Sequence, residues 1–310
     1  MTTMTALLDK QAAVPPTTTS ASPSRLPAPL RATRPALQWR LVLLWLLALL
    51  LPALAASLPV WNMLGTAFDH SAKAAELARR LDLASINDLA GMGKQYGAAM
   101  TGGGITALVL TLLLSPLLTG AAITAARAPQ VPGFAALVAG GVLEYGRLAR
   151  MLVWALLPLG LAGALAGVAI DAASERGAAA IVPSDASLAM TAAQVLAALL
   201  FLVVHATLDQ GRAVLALDRR RTSAVKAWFA GLRVLARRPL AVMGTYLGVT
   251  ILGLVLAALL AVARINTPPL GVAGFIGALL LTQLAVAVLA WTRCARLFAL
   301  MEVARGASKV

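Results

Sequence analysis

Apolar residues along this chain fall in blocks near 20 residues long, separated by shorter polar stretches. A helix of that length crosses the roughly 30 Å hydrocarbon core of a bilayer. Six such blocks are predicted, at about residues 41–60, 103–126, 148–170, 188–208, 240–262 and 272–292. Trp39 and Trp61 flank the first, where amphipathic rings suit the two headgroup zones. Pro116 and Pro158 lie inside the second and third and predict kinks, because proline removes a backbone donor. Ala53-Leu54-Ala55 carries the small-residue pattern of a signal cleavage site, but the region ahead of it is long and apolar character continues past it, so the block is read as a span. The expected fold is all-α: a polytopic transmembrane helical bundle of about six spans with interfacial amphipathic helices, covering residues 39–305.

The intervals between blocks differ in character. Residues 1–38 are rich in Thr, Ser, Pro and Ala and read as a disordered tail, and 306–310 as a short one. In 62–100, Leu77, Leu81, Leu83, Ile86 and Leu89 suggest a short helix on the outer membrane face or packed over the bundle. Residues 128–146 hold Pro129, Pro132, Gly140 and Gly141 and read as a re-entrant or interfacial segment. Residues 222–238 give the clearest local pattern. Val225, Trp228, Phe229, Leu232 and Leu235 share one helical face, with Lys226, Arg233 and Arg237 off it. Thr222 or Ser223 can cap the start of that helix, and Pro239 marks its end.

Composition strengthens the membrane reading. Of 310 residues 60% are hydrophobic and 12% charged, half the charged share of an ordinary soluble domain, too little to cover a water-facing surface. The formal net charge of +14 is segregated. The first and last segments, with the second and fourth loops, hold 20 of the 26 Lys and Arg, against six in the other three loops. The positive-inside rule then expects both termini in the cytoplasm of a cell with an inner membrane. Nucleic acid is not expected as a partner. Anionic lipid headgroups on the cytoplasmic side are, with Lys226, Arg233, Arg237 and Arg238 as their contacts. A protein partner within the membrane is also compatible. The Ala, Leu and Arg richness suits a bacterium with GC-rich DNA. The single Cys294 excludes an intramolecular disulfide or a multi-cysteine metal site.

Candidate chemistry is sparse. Glu144, Arg147 and Arg150 follow one another at i, i+3 spacing, and Asp209 with Arg212 repeats the acid–base pair. Both sets fall near the expected cytoplasmic boundary. They suit an inter-helix ion network or, alternatively, the mouth of a polar path. His205 lies inside the fourth block, four residues before Asp209, and is a candidate for a proton relay or for plain hydrogen bonding. Gln194 and Gln283 are candidates for bonds between helices, and Gly160, Ala164, Gly163 and Gly167 for close helix packing. Gly102-Gly103-Gly104 lacks the Lys-Ser/Thr of a phosphate loop. No nucleophile elbow and no metal-binding motif are present, so no cofactor, metal or enzymatic activity is expected.

Two stretches carry a family likeness: Gly140-Gly141-Val142-Leu143-Glu144-Tyr145-Gly146-Arg147-Leu148-Ala149-Arg150, and Asp209 through Pro239, ending Gly231-Leu232-Arg233-Val234-Leu235-Ala236-Arg237-Arg238-Pro239-Leu240. They resemble the bacterial six-helix inner-membrane proteins of unknown function, allied to the membrane domain attached to some glycerophosphodiester phosphodiesterases. The resemblance covers about residues 40–305. It implies a helical bundle with an amphipathic cytoplasmic helix between the fourth and fifth spans, and it supplies no catalytic residues. The soluble phosphodiesterase barrel is absent from this chain, so that activity is not implied. Two functions remain open: a non-enzymatic scaffold, assembly or envelope-homeostasis component, and a transporter of a small apolar solute or lipid.

Overall fold

The computed structural model of the chain describes residues 33–69, 91, 95–179, 182–268 and 271–308. A short 3-10 turn, Arg34–Leu37, leads into seven α-helices: α1 Trp39–Phe68, α2 Gly97–Arg127, α3 Phe134–Ala179, α4 Pro183–Leu217, α5 Ala224–Arg237, α6 Pro239–Ile265 and α7 Gly271–Ser308. All but α5 are long and apolar enough to cross a bilayer. The chain is an all-α, multi-pass integral membrane protein.

The helices are longer than the apolar blocks within them. At 1.5 Å per residue, the 46 residues of α3 reach about 69 Å, more than twice a hydrocarbon core. Residues 134–146, expected as a re-entrant or interfacial segment, form the first turns of α3. Gly140 and Gly141 are not helix breakers there. They let α2 and α3 touch backbone to backbone: a Cβ on Gly141 would lie 2.7 Å from the Leu117 carbonyl oxygen, and one on Gly120 2.9 Å from Gly141 Cα. Likewise α4 runs on to Leu217 and α7 to Ser308. The expected outer-face helix within 62–100 lies for most of its length outside the described residues, as do most of the expected N-terminal tail and the last residues of the chain.

Consecutive helices pair as antiparallel hairpins, α1 with α2, α3 with α4 and α6 with α7. α2 also lies against α3, and α7 crosses α4 and α1. The buried side chains concentrate at one end of the bundle. In α2 they run from Pro116 to Ala125, in α6 from Val242 to Gly253, and in α7 nearly all lie beyond Ala290. In α3 they run from Leu137 to Ala155, with only Ala162 and Ala173 further on. This end carries α5, the α2–α3 turn and most of the described arginines, and is called the basic end below. Toward the other end Leu156, Leu157, Leu161, Leu165 and Val168 of α3 are exposed, as are Val195, Leu196 and Leu199 of α4. Lipid tails are as apolar as leucine, so no hydrophobic force closes such surfaces inside a bilayer, and only close packing or hydrogen bonding between helices would cover them.

Small residues set the close approaches. Gly103 meets Pro59 and the Ala55 carbonyl across the α1–α2 hairpin, and Gly253 meets Thr292 between α6 and α7. Gly211 and Gly231 bring α4 and α5 together, since a Cβ on Gly231 would lie 2.7 Å from Gly211 N. Gly160, Gly163 and Gly167, expected to pack closely, have open space where a Cβ would stand. They lie in the uncovered stretch of α3, where no described helix comes near enough to need them.

Helix α5 starts where Ser223 Oγ accepts from Lys226 N at 3.3 Å. Its buried stripe is Ala224, Ala227 and Gly231, turned to α4. Trp228 donates from Nε1 to Thr207 Oγ1 at 3.1 Å and stands edge-on to Trp154 of α3. So part of the face expected to lie in lipid is used to dock the helix on the bundle, while Phe229 stays exposed.

Candidate functional site: two ion networks at the basic end

The first network joins α2, α3 and α4. Glu144 of α3 receives Arg127 Nη1 from the last turn of α2 and Arg147 Nη1 from one turn further along α3, each at 2.6 Å. Both guanidinium groups also reach the end of α4. Arg127 donates from Nε to the Ala216 carbonyl at 2.8 Å and from Nη2 to the same oxygen. Arg147 donates from Nη2 to the carbonyls of Leu215, at 2.7 Å, and Asp218, and from Nε to that of Arg221 at 3.0 Å. The last carbonyls of a helix have no partner within it and carry the negative end of its dipole. Two arginines tied to one glutamate therefore cap α4 and fix the turn into α5. Arg150 does not join: it bonds the Gly146 carbonyl of its own helix and is exposed.

The second network joins α4, α6 and α7. Asp209 Oδ1 receives Arg212 Nη1 at 2.6 Å, and Oδ2 lies 2.7 Å from Arg296 Nε of α7. Arg296 also donates to Thr250 Oγ1 at 3.1 Å and lies 4.7 Å above the Tyr246 ring of α6. His205 sits one turn before Asp209. Its Nδ1 is 2.9 Å from Tyr246 Oη and 3.7 Å from Asp209 Oδ2, and its ring stacks on Phe201. Asp209 is 8% exposed and Glu144 likewise 8%, so each carboxylate is withdrawn from solvent and answered by two arginines.

A second arginine of α7, Arg293, points elsewhere. It bonds Ser115 Oγ of α2 at 3.1 Å and lies 5.6 Å from the Trp45 ring of α1. Beside it is a cavity of about 20 Å³ lined by Trp45, Thr119, Asp209, Arg212, Arg293 and Cys294, among others. Cys294 is buried and unbridged, and the sequence has no second cysteine.

Of the residues singled out from sequence, the structure thus brings together Glu144 with Arg147, and His205 with Asp209 and Arg212, in two separate networks. Lys226, Arg233 and Arg237 stand exposed on α5, and Arg238 is half-buried at the α5–α6 junction. Sequence reasoning missed Arg127, Tyr246, Arg293 and Arg296 as members of the site. A depth count was the signal available, since Arg293 and Arg296 follow the sixth apolar block as Asp209 and Arg212 follow the fourth.

Among the described residues no three His, Cys, Asp or Glu side chains gather as a metal site. The hydroxyls along the spans turn inward on their own helices. Thr106, Thr111, Thr191, Thr282 and Thr292 each bond the carbonyl four residues back. The arrangement pairs charges and binds helices to one another. No family model matches this chain, and neither a curated protein nor a solved structure is significantly similar to it.

Proposed function

We propose that this multi-pass membrane protein works by binding and not by chemistry, as a scaffold, assembly or envelope-homeostasis component of a bacterial inner membrane. The observation that carries the reading is the fate of its buried carboxylates. Among the described residues, Glu144 and Asp209 are the buried acids, and each is occupied by two arginines. A carboxylate so held is a brace between helices, not a general base or an ion-coupling site. The orientation follows the charge: the basic end, with α5 and both termini, lies in the cytoplasm. Lys226, Arg233 and Arg237 then face the anionic headgroups of the inner leaflet.

The braced end leaves the far halves of three hairpins as apolar surface that other transmembrane helices can cover. Gentle detergent purification of the tagged protein, with mass spectrometry against an unrelated six-span control, tests this. A near-stoichiometric protein absent from the control is expected, and its absence in repeated preparations would count against the scaffold.

Transport of a small apolar solute or lipid is the second reading. The same uncovered faces favour it, because an apolar passenger needs no polar lining. A hydrophilic passenger is disfavoured, since the span hydroxyls are spent on their own helix carbonyls.

A further inference from the structure

Arg293 is the anomaly of the basic end. It is exposed, and among the described residues no carboxylate lies within ion-pair distance of it. Its polar partner is a neutral hydroxyl, Ser115 Oγ, and its face partner is the Trp45 ring. Its neighbours Arg212 and Arg296 share one acid, Asp209. Three guanidinium groups against one carboxylate leave an uncompensated excess of positive charge. Ionisable groups at membrane depth pair with something.

The depth of Arg293 says what is within reach. Helix α7 begins at Gly271, six residues after the end of α6 at Ile265, and Arg293 lies 22 residues on. That is ~33 Å along the helix, about one hydrocarbon thickness from the far boundary. Arg293 therefore sits at the level of the lipid phosphates on the basic side. The adjoining cavity of about 20 Å³ has room for about one water-sized group, such as a single phosphoryl oxygen, and not for a whole solute. Arg212 lines it as a further donor, Asp209 lines it already held by Arg212 and Arg296, Thr119 has its hydroxyl proton on the Ser115 carbonyl, and Trp45 and Leu297 supply apolar walls.

Below the site, away from the basic end, Leu112 and Leu108 continue the α2 face of Ser115, and Leu289 continues the α7 face of Arg293, by helical spacing. All three are exposed. A ligand with a phosphate at one end and acyl chains at the other matches both halves of this surface.

We propose that Arg293, with Arg212, Thr119, Ser115 and Trp45, forms a binding site for the phosphate of one anionic glycerophospholipid, whose chains run along α2 and α7. Guanidinium is suited to this, because its planar fork bonds two phosphate oxygens at once. The site differs from the headgroup contacts of α5: it is an inter-helix groove with a fixed depth, not an exposed face. It requires the spans and does not rest on the scaffold reading.

The test uses the full chain in neutral detergent, with phosphatidylglycerol as probe and native mass spectrometry as readout. Wild type should retain one phosphatidylglycerol per chain. Arg293→Gln should weaken retention roughly tenfold or more, the scale of losing one charge-assisted hydrogen bond, Arg293→Lys should restore part of it, and Arg233→Gln on α5 should leave it unchanged. Equal loss in Arg233→Gln and Arg293→Gln would overturn the site as a distinct one. Displacement of the lipid by inorganic phosphate at equal occupancy would overturn the lipid as its ligand. A second measurement avoids any folding defect of the variants: photoactivatable phosphatidylglycerol should label wild-type peptides around Trp45 and Thr119. Labelling confined to α5 would overturn the proposal.

Discussion

The Asp209 carboxylate of α4 and the Arg296 guanidinium of α7 meet at 2.7 Å, although 87 residues of chain separate them. Together with Arg127 on Glu144, this contact joins the three hairpins at one end. Each pair draws two helices that are not sequence neighbours, or a helix and the next hairpin, to a common depth.

Breaking either centre leaves two arginines, buried or half-buried, with no acid between them. Asp209→Asn and Glu144→Gln should therefore each destabilise the protein by about 3–5 kcal/mol, the scale for removing one partner of a buried pair. Thermal unfolding in detergent, followed by loss of the monodisperse peak, reads this. Asp209→Leu combined with Arg296→Met and Arg212→Met should recover much of the loss, because an apolar replacement leaves no orphan charge.

The close approach of α2 and α3 depends on Gly141, where a Cβ would stand 2.7 Å from the Leu117 carbonyl. Gly141→Val should cost about 1–3 kcal/mol or more by overpacking and should part Arg127 from Glu144. Gly160→Ala and Gly163→Ala, in open space, should be neutral or slightly stabilising by helix propensity. Melting temperatures of the three variants compare them directly.

Docking of α5 rests partly on Trp228 Nε1 bonding Thr207 Oγ1. Trp228→Phe keeps a ring but removes that donor, and should cost about 0.5–1.5 kcal/mol. Limited proteolysis after Arg219, Arg220 and Arg221, at the α4–α5 turn, should quicken with it.

Orientation is open to chemical labelling. Cys294 is the sole cysteine, so a Cys294→Ala background is cysteine-free. Thr222→Cys in the α4–α5 turn should resist an impermeant maleimide in intact spheroplasts, and Asn266→Cys in the α6–α7 turn should react. The opposite pattern would reverse the protein in the membrane.

Much of this architecture was legible along the chain because spans are written in contiguous apolar blocks, and the Ser223 cap and the α5 pattern are equally local. The errors came where a local signal has a distant purpose. Gly140 and Gly141 suggest a re-entrant or interfacial segment because their use, contact of Gly140 with Thr124 and of Gly141 with Leu117 and Gly120, lies across to another helix. Gly160, Gly163 and Gly167 read as packing residues because spacing alone does not say whether a neighbour is present. Arg127 does end α2, but its partners, Glu144 and the α4 carbonyls, are set by tertiary structure and leave no local sign. Glu144 with Arg147, and Asp209 with Arg212, were visible because they are one turn apart. Arg296, the member that closes the second network, was not visible as such.

The central claim is that a braced basic end holds out apolar hairpin faces for a protein partner. It is tested most directly by photo-crosslinking in the native membrane, with a photoreactive residue placed at Leu157, Leu165 or Leu199 and, as control, at buried Leu300. The account predicts one discrete protein adduct from the far-half positions and none from Leu300. Adducts to lipid alone from all three far-half positions would contradict it.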